Sequence, residues 1–251
     1  MALDYERRFG AQTGVATQAE IDQGLRAYML KVYNYMASGI ALTGIIALLS
    51  SPTSSFGVLA PLFYVQGANG TIAPSMLVWI SMFATLGIVF FLSFRINKMS
   101  ATAAQGTFWA YAALNGVWLS TIFLTYTDAS IVRVFFITAA AFAGLSLYGY
   151  TTKRDLTGFG SFLVMGLIGL LIAMVVNIFL ASSMLDFVIS AAGVLIFAGL
   201  TAYDTQKIKD MYLEDDHHEV AAKKSVMGAL TLYLDFINLF IMLLRLFGER
   251  R

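Results

Sequence analysis

The chain has 251 residues, of which 59% are hydrophobic and only 12% charged, with a net charge of +1. Soluble domains carry about 25% charged residues, and a soluble fold this apolar would expose large aggregating patches, so the chain reads as a membrane protein. No basic block or aromatic-basic interleaving points to nucleic acid, and the absence of cysteine excludes disulfides and thiolate metal sites.

Residues 1–26 are polar and mixed in charge, with Asp4, Glu6, Arg7, Arg8, Glu20 and Asp22. No apolar stretch follows a basic start there, so a cleavable signal peptide is not expected; the segment reads as a loosely ordered cytoplasmic tail. Residues 27–251 then form one membrane domain. A helical span needs about 20 apolar residues at 1.5 Å each. Seven such runs follow, near Tyr28–Leu49, Pro74–Phe94, Gln105–Tyr126, Ile131–Tyr150, Phe159–Leu180, Leu185–Ile208 and Val226–Phe247. The expected fold is an all-α polytopic bundle. Only the link Thr127-Asp128-Ala129-Ser130 reads as very short, a tight turn between antiparallel helices. The loop Ser50–Ala73 has no charge and is expected to be partly buried or to hug the membrane.

Lys and Arg fix the expected orientation. With the N-terminus inside, the inner loops hold Arg95 and Lys98, then Lys153 and Arg154, then Lys207, Lys209, Lys223 and Lys224. Seven full spans put Arg250 and Arg251 outside, so the last run is either a full span, the reading preferred here, or re-entrant. Glycines inside the runs (Gly39 and Gly44, Gly144 and Gly149, Gly166 and Gly169, Gly193 and Gly199) suit close helix packing in lipid. The first six runs divide into three plus three, the arrangement of an internal structural repeat.

Ionisable residues at membrane depth are functional candidates by default. Lys31 is near enough to a span end to snorkel. Asp186 suits a helix N-terminus, and Arg95 an interfacial anchor. Asp204 and Asp235 are harder to place so simply. Asp235 lies roughly 13 Å from the inner end of the seventh run and Asp204 about 6–8 Å from that of the sixth, so both belong to the inner half of the membrane. On the last helix Asp235, Asn238, Met242 and Arg245 share one face. A carboxyl that fixes packing and one that acts both fit Asp235 at this point.

The segment Tyr203-Asp204-Thr205-Gln206 with Ile208, and the run from Leu230 through Leu232-Tyr233-Leu234-Asp235-Phe236-Ile237-Asn238-Leu239 to Phe240 ending in Leu244-Arg245, resemble the bacterial branch of the Bax inhibitor-1/YccA family. The likeness covers nearly the whole chain. It implies a C-terminal helix surrounded by the other six. It also implies a pH-sensitive calcium leak in the inner membrane, with Asp204 and Asp235 as a hydrogen-bonded gating pair. An arginine at the inner end of the second helix would modulate the pair. Arg95 fits that role, with Lys98 as competitor, and Asn238 is a second modulating candidate. Two carboxyls in contact in a low dielectric titrate as one unit, and their oxygens suit passing contacts with Ca²⁺. No resident cofactor is expected.

Enzymatic alternatives lack their residues. The only histidines, His217 and His218, fall in the last loop, which leaves neither an intramembrane Ser–His pair nor a zinc site at depth. No glycine motif of an aspartyl intramembrane protease flanks either aspartate, and the last run holds no lysine for a retinal Schiff base. The family likeness also allows a second role, restraint of a membrane-bound ATP-dependent protease or of cell death, with the N-terminal tail and Glu214-Asp215-Asp216-His217-His218 as the partner surface.

Overall fold

The computed structural model describes residues 2–67 and 69–251, the side chains of residues 2–22 excepted. The expected polar tail therefore lies largely outside the described side chains. The helix α1 (Ala2–Ser50) carries it into the first span, Gln23–Ser50. There follow α2 (Ala60–Phe63), a hairpin of β1 (Tyr64–Gln66) and β2 (Ile72–Pro74), α3 (Met76–Arg95), α4 (Ala101–Leu119), α5 (Ile122–Thr125), α6 (Asp128–Thr151), α7 (Thr157–Leu180), α8 (Ser183–Asp210) and α9 (His218–Phe247). Among the described residues, seven helical segments are long and apolar enough to cross a membrane, one for each expected run. The protein is an all-α polytopic membrane protein.

The turns are sharper than sequence reading allows. Thr127 caps α6 by accepting from the Ser130 amide, as the short link suggests. The α7–α8 connection, however, is just as short. Ala181 adopts a left-handed φ of 48°, and Ser182 then caps α8 through the Leu185 amide. A hydroxyl that satisfies one of the four free amides at a helix start lets the chain reverse within two residues. The uncharged loop folds back as expected. Tyr64 is buried, and its hydroxyl meets Ser120 Oγ at 2.7 Å. Phe56, Val58 and Leu62 stay exposed beside it.

The helix α9 is the core. Of its most apolar stretch 72% is buried, against 11% for α7. Its main neighbours are α8, α1, α6 and α4. The expectation of six surrounding helices is therefore corrected to four, because α3 packs chiefly on α4 and α7 on α8. Each half repeats one pattern: α4 packs on α1 and α3, as α8 packs on α6 and α7. The last run is a continuous 30-residue helix and not a re-entrant one. At one end Lys209 Nζ donates to the Tyr150 carbonyl at 3.0 Å, next to the α8–α9 loop. At the other, the Thr127 amide donates to the Glu249 carbonyl at 2.9 Å and the Arg251 amide to the Thr125 carbonyl at 3.0 Å. The two ends of α6 thus mark the two ends of α9.

The candidate acidic pair and its surroundings

The segment Tyr203-Asp204-Thr205-Gln206 forms one turn of α8, and successive side chains 100° apart meet four different neighbours. The Tyr203 ring occupies the space where a side chain at Gly160 of α7 would stand, 2.4 Å from an ideal Cβ there. Asp204 faces Asp235 of α9 within reach of a side-chain hydrogen bond. Thr205 Oγ1 meets Ser146 Oγ of α6 at 2.9 Å. Gln206 clamps the α6–α7 loop, accepting from the Leu156 amide at 2.8 Å and donating to the Arg154 carbonyl at 2.8 Å. This turn ties α6, α7 and α9 to α8.

Asp235 is 5% exposed, and its Oδ2 is buried without a hydrogen-bond partner among the described residues. Burying an unpaired carboxylate costs far more than burying one that shares a proton. The cation whose field reaches Asp204 is Lys207, one turn further along α8, and its Nζ also lies 5.9 Å from the Tyr203 ring centroid. Arg95, the expected modulator, does not meet the pair. It is exposed at the end of α3, a helix packed chiefly on α4, and Lys98 beyond it is exposed too. Asn238 Nδ2 donates to the Leu234 carbonyl of its own helix at 2.8 Å. The polar stripe of α9 divides accordingly: Arg245, at the far end, pairs with Asp186 at 3.4 Å. The i,i+3 spacing of Asp204 and Lys207 is the sequence signal that could have found Lys207.

A second polar cluster went unseen in the sequence. Tyr233, fully buried two residues before Asp235, meets Thr43 Oγ1 of α1 at 2.6 Å and accepts from Asn115 Nδ2 of α4 at 2.8 Å. Thr43 spends its own proton on the Ala112 carbonyl at 2.8 Å, so the Tyr233 hydroxyl must be the donor to Thr43. Asn115, a carboxamide in the middle of a span, is the sequence signal for this cluster. Among the described residues, no group of three or more His, Asp or Glu could hold a metal ion. In the acidic loop proposed for a partner, Asp216 is tied to Lys224 at 2.6 Å, and Glu214 and Asp215 remain exposed.

The family described as "Inhibitor of apoptosis-promoting Bax1" matches residues 25–251. The chain belongs to the Bax inhibitor-1 family. It is 47% identical over 251 residues to Uncharacterized protein RP147 of Rickettsia prowazekii (strain Madrid E), covering 99% of each chain. It is 46% identical over 230 residues to Inner membrane protein YbhL of Escherichia coli (strain K12), covering 91% of this chain and 94% of the relative. An uncharacterized protein of Borreliella burgdorferi is 44% identical over 226 residues, 89% of this chain and 92% of its own length. The Bax inhibitor-1 match thus includes the turn of α8 and the stretch of α9 that carry the acidic pair.

Proposed function

We propose that this Bax inhibitor-1 family protein is a pH-sensitive leak for calcium ions, gated by a proton shared between Asp204 and Asp235. The observation that carries the reading is the meeting of two carboxyls across the α8–α9 seam, one of them buried with an oxygen that lacks a hydrogen-bond partner among the described residues. With one proton between them the two groups bridge the helices. Without it they repel by about 4 kcal/mol at a separation of roughly 4 Å and an effective dielectric near 20. That bias is on the order of a thousand-fold between two states of the seam. Protonation therefore holds the leak shut and deprotonation opens it. The burial of Asp235 supports reading the present arrangement as the shut one. Two carboxylates fall short of the 6–8 oxygens of a resident calcium site and suit an ion in passage. The name of the Escherichia coli relative and the Lys/Arg bias support a multi-pass inner-membrane protein with a cytoplasmic N-terminus.

Calcium flux into dye-loaded proteoliposomes, measured from pH 5 to 8, tests the reading. The wild type is expected to leak more as pH rises, while Asp204→Asn and Asp235→Asn flatten the profile. Variants that keep the wild-type pH profile would remove the pair from gating. Calcium impermeability at every pH would remove the leak itself.

A further inference from the structure

The helices α1 and α6 both pack on α9 yet scarcely touch each other. Between them runs an open groove of about 750 Å³. It is open because its walls are small: Ala37 and Ala41 face it from α1, Ala139 and Ala143 from α6. Its floor is the Phe236 ring of α9, which rests against Phe135 and Phe142, each at 5.6 Å between centroids. We propose that this groove is a binding site for one anionic phospholipid.

The polar groups along the groove stand in the order of such a lipid. At one end are Arg26 and Tyr150, with Lys209 Nζ 5.6 Å from the Tyr150 ring centroid and bonded to its carbonyl. One step inward the Tyr33 hydroxyl donates to Ser146 Oγ at 3.3 Å, in the groove wall. Beyond that the lining is apolar. Cation, hydroxyl and hydrocarbon thus face phosphate, glycerol ester and acyl chain in turn. From Arg26 to Ala41 the helix rises about 22 Å, the depth of one leaflet with its headgroups, roughly 20–22 Å. A cation at one end followed by hydroxyls and then only apolar side chains suits a lipid rather than a partner helix. An anionic headgroup is selected because a zwitterionic one brings its own ammonium to a place already held by Arg26.

The test uses the full-length protein, stripped of lipid in detergent and re-supplied with phosphatidylglycerol or phosphatidylcholine of matched chains. Retained lipid is counted by native mass spectrometry. One phosphatidylglycerol is expected to be retained, about five-fold over phosphatidylcholine, the ratio one interfacial cation provides. Arg26→Gln should remove that preference, and Ala143→Phe, which fills the groove from an exposed position, should lose the lipid. Ile168→Phe, on the exposed face of α7, should change nothing. Ala37→Phe, from the opposite wall, repeats the test if circular dichroism shows Ala143→Phe to be misfolded. Equal retention of the two lipids by the wild type would overturn the proposal. So would retention indifferent to both groove-filling variants, an equal loss in Ile168→Phe, or a dimer in place of bound lipid that Ala143→Phe dissolves.

Discussion

Replacing Tyr233 by phenylalanine removes a single oxygen from the interior and cuts the polar tie among α1, α4 and α9. Two hydrogen bonds disappear, the one donated to Thr43 Oγ1 at 2.6 Å and the one accepted from Asn115 Nδ2 at 2.8 Å. Interhelical hydrogen bonds in membrane proteins average about 0.6 kcal/mol and reach about 1.7 kcal/mol. A fully orphaned buried group would add about 1–3 kcal/mol. Neither partner is fully orphaned here, because Asn115 keeps the Tyr111 hydroxyl at 3.3 Å and Thr43 keeps the Ala112 carbonyl. The expected loss is therefore about 2 kcal/mol, near the lower end of the combined ranges. Equilibrium unfolding in mixed micelles, followed by tryptophan fluorescence, measures it. The decisive comparison is the cycle with Thr43→Val: the double variant should lose about 1 kcal/mol less than the two single losses together. Losses that add within about 0.3 kcal/mol would show that the two hydroxyls are not coupled, and the hydrogen bond between them would carry no stability.

At Gly149 an added Cβ would stand 2.2 Å from the Ala202 carbonyl oxygen, a backbone atom that cannot move alone. Gly149→Ala should cost at least about 1–3 kcal/mol as α6 and α8 are forced apart, whereas Gly144→Ala, whose Cβ meets nothing, should be neutral in the same unfolding assay. Burial pushes the Tyr64 phenol above its ordinary value of 10.0, with the Ser120 hydrogen bond opposing in part. Because the folded value is the higher one, that contribution is whole below pH 10 and is lost as pH rises through the folded value. Protection of the β1 and β2 amides, taken relative to intrinsic exchange at each pH, should therefore fall in alkali, and Tyr64→Phe should remove that fall. For the acidic pair, Asp204→Asn combined with Asp235→Asn should flatten the pH profile of calcium flux no further than either change alone, since two members of one switch are not additive.

The number and limits of the spans were legible because a bilayer demands about 20 apolar residues whatever the neighbours are. Run Leu185–Ile208 became Ser183–Asp210, and Val226–Phe247 became the apolar part of His218–Phe247. That Asp204 and Asp235 fall within the last two of these helices was legible for the same reason. Short turns were harder to see. Ala181 gives no glycine signal, yet it takes the left-handed conformation that ends α7.

The sequence by itself determined that the chain is an all-α polytopic membrane protein with seven apolar helices, and that two carboxylates fall within the last two of them. These follow from composition and from the geometry of a single helix. Only the tertiary structure decided what each side chain faces. It turned Asn238 back to its own helix, left Arg95 exposed on a peripheral one, put Lys207 beside Asp204, and joined Tyr233 to Thr43 and Asn115. The rotation of one helix against another depends on small residues such as Gly149, and on hydrogen bonds between residues up to 190 positions apart. No local pattern contains that information.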